Sequence, residues 1–316
     1  MRKWIFIMII CVAILTAALY FFIPSNIEIS KVVIINCTVT GAYRNFSEEN
    51  NWAYWGLVKN ISSRSPASDP SFKYGSIFYS ITEKLRNELV VQMENSHFKI
   101  NSNIRLITRG EDSVIIIWKC SLPSGMNPIT KIRHYNDAVN ISNNMRNILQ
   151  NARNYLENSK NVYGISISQS SISDTCLLAT KYSFPDYPST REIYNAVSNL
   201  KTFAFEHGSI IIGKPLLNVD KLNDHIFQTM IAIPVNRDLS ATGNVFSRRM
   251  VPGRFMIADV IGGIYTVNKA IEQLQLYFAD YQKTSMAIPF QSLITDRSAE
   301  PDTSKWLTRI YAPVLQ

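Results

Sequence analysis

Few side chains in this sequence have the types and the spacing that catalysis requires. The chain contains no HExxH zinc motif, no phosphate-binding glycine loop and no GxSxG nucleophile elbow. Ser198 and Lys201 match the SxxK spacing of some serine hydrolases, but the companion motifs Ser-Asp-Asn and Lys-Thr-Gly are absent. The histidines are far apart and have no metal-ligand spacing: His97, His134, His207 and His225. We therefore predict no catalytic residue, no metal site and no cofactor.

Three tryptophans in the first half could serve the binding of an apolar molecule instead. Trp52, Trp55 and Trp118 are large enough to line a hydrophobic cavity, and small-molecule pockets combine such side chains with a few polar groups. The alternative is that these indoles fill a core, as large aromatic side chains often do. The sequence leaves both interpretations open, and the three residues are candidate ligand contacts.

Positive charge is in excess but is not concentrated. The formal net charge is +8. The densest basic groups are short, namely Arg2-Lys3, Lys131-Ile132-Arg133-His134 and Arg248-Arg249. A basic tail that binds nucleic acid has runs of about five or more like charges. We therefore interpret the charge as solvated surface and expect no nucleic-acid partner.

The cysteines show no metal or redox motif. Cys11 lies in the apolar N-terminal segment, which leaves three for the rest of the chain: Cys37, Cys120 and Cys176. An odd number excludes a complete disulfide framework, and there is no CxxC pair. We expect the three to be small apolar core residues.

The first 25 residues predict a single membrane-spanning anchor. Trp4 to Ile23 contain no charged side chain, and a helix of that length spans roughly 30 Å, the thickness of the hydrocarbon layer. Arg2 and Lys3 precede it, so the positive-inside rule places the N-terminus in the cytoplasm. The rest of the chain is then exported, to the periplasmic side of a bacterial inner membrane. A cleaved signal peptide is the alternative, but bulky residues stand at 19–23, where a peptidase needs small ones.

Residues 28–160 predict one α+β unit. Residues 29–36 are rich in β-branched side chains and predict an opening strand, followed by a short helix over 40–48 and several antiparallel strands up to Cys120. A long closing helix follows, because apolar residues recur at spacings of three and four: Ala138, Ile141, Met145, Ile148, Leu149, Ala152, Tyr155 and Leu156. A curved sheet that grips this helix buries the apolar stripe.

This order of elements resembles the START-like helix-grip superfamily, also called SRPBCC or polyketide-cyclase-like. The features that carry the resemblance are the opening strand, the Trp52 and Trp55 pair, Trp118 in the last strand and the closing helix. The resemblance implies a cavity between sheet and helix, which either holds a lipophilic molecule or leaves the unit as a scaffold.

Residues 163–316 contain an internal repeat. The apolar positions of two predicted helices stand 74 positions apart, from Ile193 and Val267 to Ala204 and Phe278. Each copy ends on Ile-x-x-Pro-Val or a close variant, with Pro234 and Pro313 standing 79 apart, so five residues are inserted in the second copy before its last strand. The copies, about 172–236 and 246–316, each predict a βαββ unit. Two such units predict paired sheets with a concave groove between them.

Residues 163–316, with both copies, resemble the GyrI-like effector-binding domain, which also occurs attached to AraC- and MerR-type regulators. The matching stretches are Val251-Pro-Gly-Arg-Phe, Gly262-Gly-Ile-Tyr265, Ile288-Pro-Phe-Gln291 and Trp306-Leu-Thr-Arg-Ile-Tyr-Ala-Pro-Val314. The resemblance implies that the groove binds a small molecule. The residues it implies as ligand contacts are Tyr194, Tyr265, Phe290, Gln291 and Trp306.

Gln291 departs from the family pattern. The resemblance implies a glutamate at this position, on the floor of the pocket, which pairs with cationic aromatic ligands. An amide offers hydrogen bonds but no charge. We therefore expect a neutral or polar ligand rather than a cation.

These inferences favour a membrane-anchored small-molecule binding protein, a sensor or a carrier of a hydrophobic or aromatic ligand. No helix-turn-helix precedes the effector-binding unit, so direct control of transcription is not expected. Two alternatives remain open. One alternative is a hydrolase that acts on a reactive small molecule. Some members of the resembled family are hydrolases that use a pocket tryptophan and an acid, and Trp306 matches that tryptophan. The other alternative is a non-catalytic interaction module of an envelope or stress complex, with its pockets filled by side chains.

Overall fold

The computed structural model describes residues 2–60, 71–173, 175–240, 242–250, 252–285 and 288–314. The chain divides into two units, Met1–Asn158 and Ser159–Gln316. Each contains one curled antiparallel sheet with helices, which confirms the expected α+β class.

The first unit begins with helix α1 (Arg2–Phe22), followed after three residues by strand β1 (Asn26–Ile35). Among the residues that the structure describes, no helix is both long and apolar enough to cross a membrane. The end of α1 is joined to the rest of the unit. The Tyr20 hydroxyl donates to the carbonyl of Met126, and the Lys131 ammonium lies 4.6 Å from the centre of the Tyr20 ring.

A seven-stranded sheet forms the body of the first unit, in the order β1-β7-β6-β5-β4-β3-β2. Its strands after β1 are β2 (Val58–Asn60), β3 (Ser71–Tyr74), β4 (Ile77–Leu85), β5 (Glu88–Glu94), β6 (Lys99–Arg109) and β7 (Ser113–Pro123). Because β1 pairs with β7, the first and last strands of the unit are neighbours at one end of the sheet.

Helix α2 (Val39–Ser47) and a 3-10 helix (Glu49–Trp55) follow β1, and the long helix α3 (Pro128–Leu156) closes the unit. Asn127 caps α3 by accepting a hydrogen bond from the Ile129 N–H at 2.9 Å, and Pro128 occupies the first helical position. The apolar stripe predicted for α3 is buried, apart from Tyr155, which is half-buried. Cys37 and Cys120 are buried in this unit, as expected.

The second unit contains the two βαββ copies. The first consists of β9 (Thr175–Phe184), α5 (Thr190–Glu206), β10 (Leu216–Asn223) and β11 (Ile226–Val235). The second consists of β13 (Gly253–Ile261), α6 (Ile264–Asp280), β14 (Phe290–Leu293) and β15 (Leu307–Val314). A short helix, α4 (Ser159–Tyr163), opens the unit.

Two further strands exchange partners between the copies. β8 (Ile167–Ile172) precedes the first copy but pairs with β13 of the second, and β12 (Val245–Met250) precedes the second copy but pairs with β9 of the first. The eight-stranded order is therefore β12-β9-β11-β10-β14-β15-β13-β8. Each copy depends on the other for one of its edges.

The copies meet where β10 pairs with β14. Leu217 lies opposite Gln291, and these two residues are themselves 74 positions apart, so they are equivalent positions of the repeat. The strand order reads the same from either end when the copies are exchanged. This is the arrangement of a pseudo-twofold axis passing between Leu217 and Gln291.

Each helix covers its own half of one sheet face. α5 contributes Ile193, Val197 and Leu200 to a core with residues of β9, β10 and β11, and α6 contributes Val267, Ala270 and Leu274 to a core with β13 and β15. Ser189 begins α5 with a capping box, in which its side chain accepts from the Glu192 N–H while Glu192 accepts from the Ser189 N–H. The face of the sheet that these helices cover is called the helix face below.

Replacing Leu200 by alanine tests the core beneath α5. Leu200 is completely buried, so Leu200→Ala is expected to lower the free energy of unfolding of the second unit by about 2–5 kcal/mol. Urea unfolding followed by circular dichroism measures the change. Asn199→Ala, an exposed neighbour on the same helix, is the control, with an expected change within about 0.5 kcal/mol. Equal effects of the two substitutions would contradict this assignment of the core.

Candidate ligand site

Two connections break the repeat, one in each copy. Equivalent residues of α5 and α6 are 74 positions apart in the sequence. In the strands, Cys176 pairs with Val235 and Arg254 pairs with Val314, so Cys176 and Arg254 are equivalent residues of β9 and β13. These two residues are 78 positions apart. The first copy therefore has four additional residues between β9 and α5. The last strands stand 79 apart, so the second copy has five additional residues between β14 and β15. These two longer connections carry Tyr187 and Arg297.

The β9–α5 connection brings Tyr187 to the axis between the copies. Tyr187 shares a hydrogen bond with Gln291, and its ring centre lies 6.2 Å from that of Phe227 on β11. Gln291 is only 5% exposed and points to the helix face, since its cross-strand partner Ile310 packs against α6. The amide at the axis is therefore buried and hydrogen-bonded.

The β14–β15 connection, residues 294–306, folds back over α5. Tyr194 on α5 holds it in place: its hydroxyl donates to the Thr295 carbonyl at 3.3 Å and accepts from the Arg297 N–H at 2.8 Å. Thr295 in turn closes the base of the connection, because its hydroxyl accepts from the Leu307 N–H at 2.9 Å. The connection is thus a folded loop with defined contacts on α5.

Arg297 is buried within this arrangement. Its guanidinium lies 4.7 Å from the centre of the Trp306 ring, and its Nη2 donates to the Thr308 hydroxyl at 2.7 Å. The Nε–H group is buried and has no hydrogen-bond partner in the structure. An arginine with so few partners is unusual in an interior, where buried charges are normally paired.

Trp306 is positioned by backbone contacts at the end of the loop. Its indole N–H donates to the Glu300 carbonyl at 2.8 Å, and its own carbonyl accepts from the Gly262 N–H at 2.9 Å. The ring is 6% exposed, so it serves as a wall behind the Arg297 guanidinium.

A cavity of about 520 Å³ lies beside this cluster, between α5 and the loop. Its lining includes three cations and one acid, listed with the other polar and apolar residues as Thr190, Arg191, Tyr194, Asn195, Val197, Ser198, Lys201, Asp296, Arg297 and Ser298. A second cavity of about 300 Å³ shares Tyr194, Lys201 and Asp296 with the first. A volume of this size suits a small molecule.

Burial sets the protonation of the titratable groups. Burial raises the pKa of Tyr187 and of Tyr194 above their ordinary values, and it lowers the pKa of the Arg297 guanidinium. Arginine stays protonated under such shifts. At neutral pH the cluster therefore combines neutral phenols with one positive charge.

The structure brings together only some of the ligand residues predicted from the sequence. Gln291, Trp306 and Tyr194 belong to one cluster on the helix face. Phe290 lies on the opposite face, where its ring stacks on Tyr311 at 5.0 Å, because successive residues of a strand point to opposite faces. Tyr265, in the first turn of α6, is 80% exposed. The binding roles of all five stay predictions.

The three tryptophans of the first unit are enclosed by other side chains. Trp52 stacks near Trp55, with ring centres 6.2 Å apart, and its indole N–H donates to the Phe46 carbonyl. Trp118 donates to the Ser102 hydroxyl at 2.9 Å, and each of the three is at most 2% exposed. These contacts are those of core residues, and contact with a ligand stays a prediction.

Sequence reasoning did not identify Tyr187 and Arg297. The sequence contained a signal for both residues. The number of positions that separates equivalent residues of the two copies is 78 in the first strands, 74 in the helices and 79 in the last strands. Those changes mark the two connections where one copy gained residues that the other lacks. Insertions relative to an internal repeat are places where a site can be added without disturbing the shared core.

Comparisons with known proteins give fold likenesses. No protein-family model matches the sequence, and neither does any curated protein. The solved C-terminal domain of EcmrR is 14% identical and covers 48% of this chain and 98% of its own, with a TM-score of 0.43. The SAV2435 protein bound to tetraphenylphosphonium is 15% identical and covers 48% of this chain and 94% of its own, with a TM-score of 0.32.

A START superfamily protein from Mycobacterium smegmatis is 14% identical and covers 41% of this chain and 97% of its own, with a TM-score of 0.31. These three neighbours are likenesses of fold at low sequence identity. Because all three TM-scores lie below 0.5, the strand order and the helix positions define the fold here, rather than these likenesses.

The unusual burial of Arg297 leads to a prediction about stability. Arg297→Met removes a buried charge but keeps a long side chain, so the free energy of unfolding is expected to rise by about 1–4 kcal/mol. Thr308→Val removes the acceptor for the guanidinium and is expected to lower it by about 1–3 kcal/mol. Urea unfolding of the two variants and the wild type measures both changes. A loss of stability in Arg297→Met would mean that the guanidinium is a structural element.

Proposed function

We propose that the second unit binds a small aromatic molecule in the cavity beside α5. The observation that carries this proposal is the cavity between α5 and the longer β14–β15 connection, which the buried Arg297 lines. Arg297 comes from this connection and Tyr194 comes from α5, and both side chains line the cavity.

The chemistry of the cluster fits a small-molecule site. The Tyr194 ring gives a flat wall, while its hydroxyl, Asn195 and Arg297 give a few fixed polar groups. Tyr194 and Trp306 are each held by hydrogen bonds to backbone groups. A site built in this way is ordered before a ligand arrives, which reduces the entropic cost of binding.

We further propose that the protein acts at a membrane, as a sensor or a carrier. This part rests on the sequence alone, that is, on the uncharged stretch from Trp4 to Ile23 preceded by Arg2 and Lys3. In this view the first unit is the scaffold that follows the anchor, since its tryptophans pack among core side chains. The binding unit then lies on the exported side.

Native mass spectrometry of the full chain, released from detergent micelles, tests ligand binding. We expect the wild-type protein to retain a small molecule after incubation with a small-molecule extract of host cells. Tyr194→Ala should lose this mass, because it removes both a wall of the cavity and the hydroxyl that holds the loop. Phe205→Ala is the matched control, an aromatic residue of the same helix that is 84% exposed, and it should retain the mass.

Two further variants locate the site. Loss of the bound mass in Phe290→Ala or Tyr265→Ala, with retention in Tyr194→Ala, would place the ligand on the other face of the sheet or at the start of α6. A clean ligand-free mass for the wild-type protein would contradict the binding proposal and favour the interaction module. A mass that is retained and chemically changed would favour the hydrolase.

Membrane attachment has its own test. The full chain, expressed in a bacterial host, is expected to stay in the membrane pellet after a carbonate wash at alkaline pH, which releases peripheral proteins. Protease added to spheroplasts should then digest both units, since the charge rule places them outside the cytoplasm. Release of the chain by carbonate would contradict the anchor, and protection of the units in spheroplasts would contradict their export.

A further inference from the structure

The partners of Arg297 do not account for its charge. The residue is 5% exposed, its side chain has one hydrogen bond, to the neutral Thr308 hydroxyl, and its Nε–H has no partner. Among the ion pairs of the described residues, none joins a carboxylate to this guanidinium. The Trp306 ring, whose centre lies 4.7 Å from the guanidinium carbon, gives a cation–π contact and no negative charge.

The acid next to Arg297 in the sequence has other hydrogen-bond partners. Asp296 precedes Arg297, but its carboxylate accepts from the Ser298 N–H at 3.0 Å and from the Ser298 hydroxyl at 2.5 Å. Those hydrogen bonds hold the carboxylate in its own turn. Arg297 is therefore a buried cation whose counter-charge does not come from its sequence neighbour.

The walls of the cavity have the same sign as Arg297. Arg191 and Lys201 on α5 line it together with Arg297, and the one acid in the described lining is Asp296. Lys201 and Lys214 both act on Asp296 and help to lower the pKa of its carboxyl group. A cavity with more cations than acids raises the local concentration of anions.

We propose that the ligand of the second unit carries a carboxylate on an aromatic body, and that Arg297 binds this carboxylate. The proposal rests on the binding function argued above and specifies the class of ligand. A carboxylate supplies both the missing counter-charge and an acceptor for the Nε–H, in the planar geometry that guanidinium groups prefer. The aromatic body packs against Tyr194, which lines the cavity together with Arg297.

This proposal refines the sequence prediction for Gln291. Replacing the expected glutamate by an amide removes a negative charge from the axis, and the sequence alone pointed to a neutral or polar ligand. Arg297, on the inserted loop, then adds a positive charge near the same place. The preferred charge of the ligand is therefore reversed relative to the cations that the family resemblance implies.

Isothermal titration calorimetry on the full chain in detergent tests the proposal with three probes of similar shape: 1-naphthoate, the neutral 1-naphthamide and the cationic 1-naphthylmethylammonium. We expect naphthoate to bind about 10- to 100-fold more tightly than naphthamide, from charge-assisted hydrogen bonds to arginine. The ammonium probe, and tetraphenylphosphonium as a larger cation, should bind more weakly than naphthamide.

Variants of Arg297 assign the preference to this side chain. Arg297→Met should abolish the difference between naphthoate and naphthamide, while naphthamide binding stays within about threefold of wild type because the aromatic walls remain. Arg297→Lys keeps the charge but not the planar fork, so part of the preference should return. Phe205→Ala should leave all affinities unchanged.

The possible failures can be told apart. Equal binding of naphthoate and naphthamide, lost in Tyr194→Ala, would overturn the carboxylate proposal and leave the binding function standing. A preference for naphthoate that survives in Arg297→Met would assign the anion to another residue and also overturn the proposal. Absence of binding by every probe at millimolar concentration would count against both the carboxylate proposal and the cavity beside α5 as a ligand site.

Discussion

The second unit depends on the pairing of β10 with β14. Two residue pairs join the halves of the sheet there, Leu216 with Ser292 and Leu217 with Gln291. This pairing places equivalent residues of the repeat opposite each other, and it sets the positions of α5 and α6 on either side of the axis. The exchanged strands β8 and β12 then tie each copy to the other at the edges. Everything that forms the cavity is positioned relative to this central pair of strands.

An exact twofold repeat would place equal sites beside α5 and α6. The two copies differ in the lengths of their connections, and this difference explains why the candidate site lies beside α5. The β10–β11 turn is tight, since Asn223 and Ile226 are paired across it, whereas the equivalent β14–β15 connection runs from residue 294 to 306. The longer loop places the charged Arg297 side chain in a buried environment, away from water. Such a charge lowers stability unless a partner arrives, and opposition between stability and function is common at binding sites.

The fold was more accessible from the sequence than the site was. The repeat, its helices and the Pro-Val strands are visible as spacings, because each copy must bury the same apolar pattern. β8 and β12 were not predicted, since edge strands such as Ile167–Ile172 have one open side and carry mixed polar residues. Phe290 and Gln291 were assigned to one groove by resemblance, although adjacent strand residues point to opposite faces. Arg297 could not be found by apolar periodicity, which says nothing about polar side chains on an inserted loop.

The exchange of β8 and β12 also bears on how such a unit could have arisen. One copy with its leading strand is half of a sheet with unpaired edges, and a second identical chain would satisfy them, giving a symmetric homodimer. Identical chains must change together, so every residue gained beside one helix would appear beside the other as well. Once the two halves are covalently joined, each is free to diverge, and a single off-axis cavity with its own charge becomes attainable. In this sense the linker between β11 and β12 permits an asymmetric cavity to form on a symmetric frame.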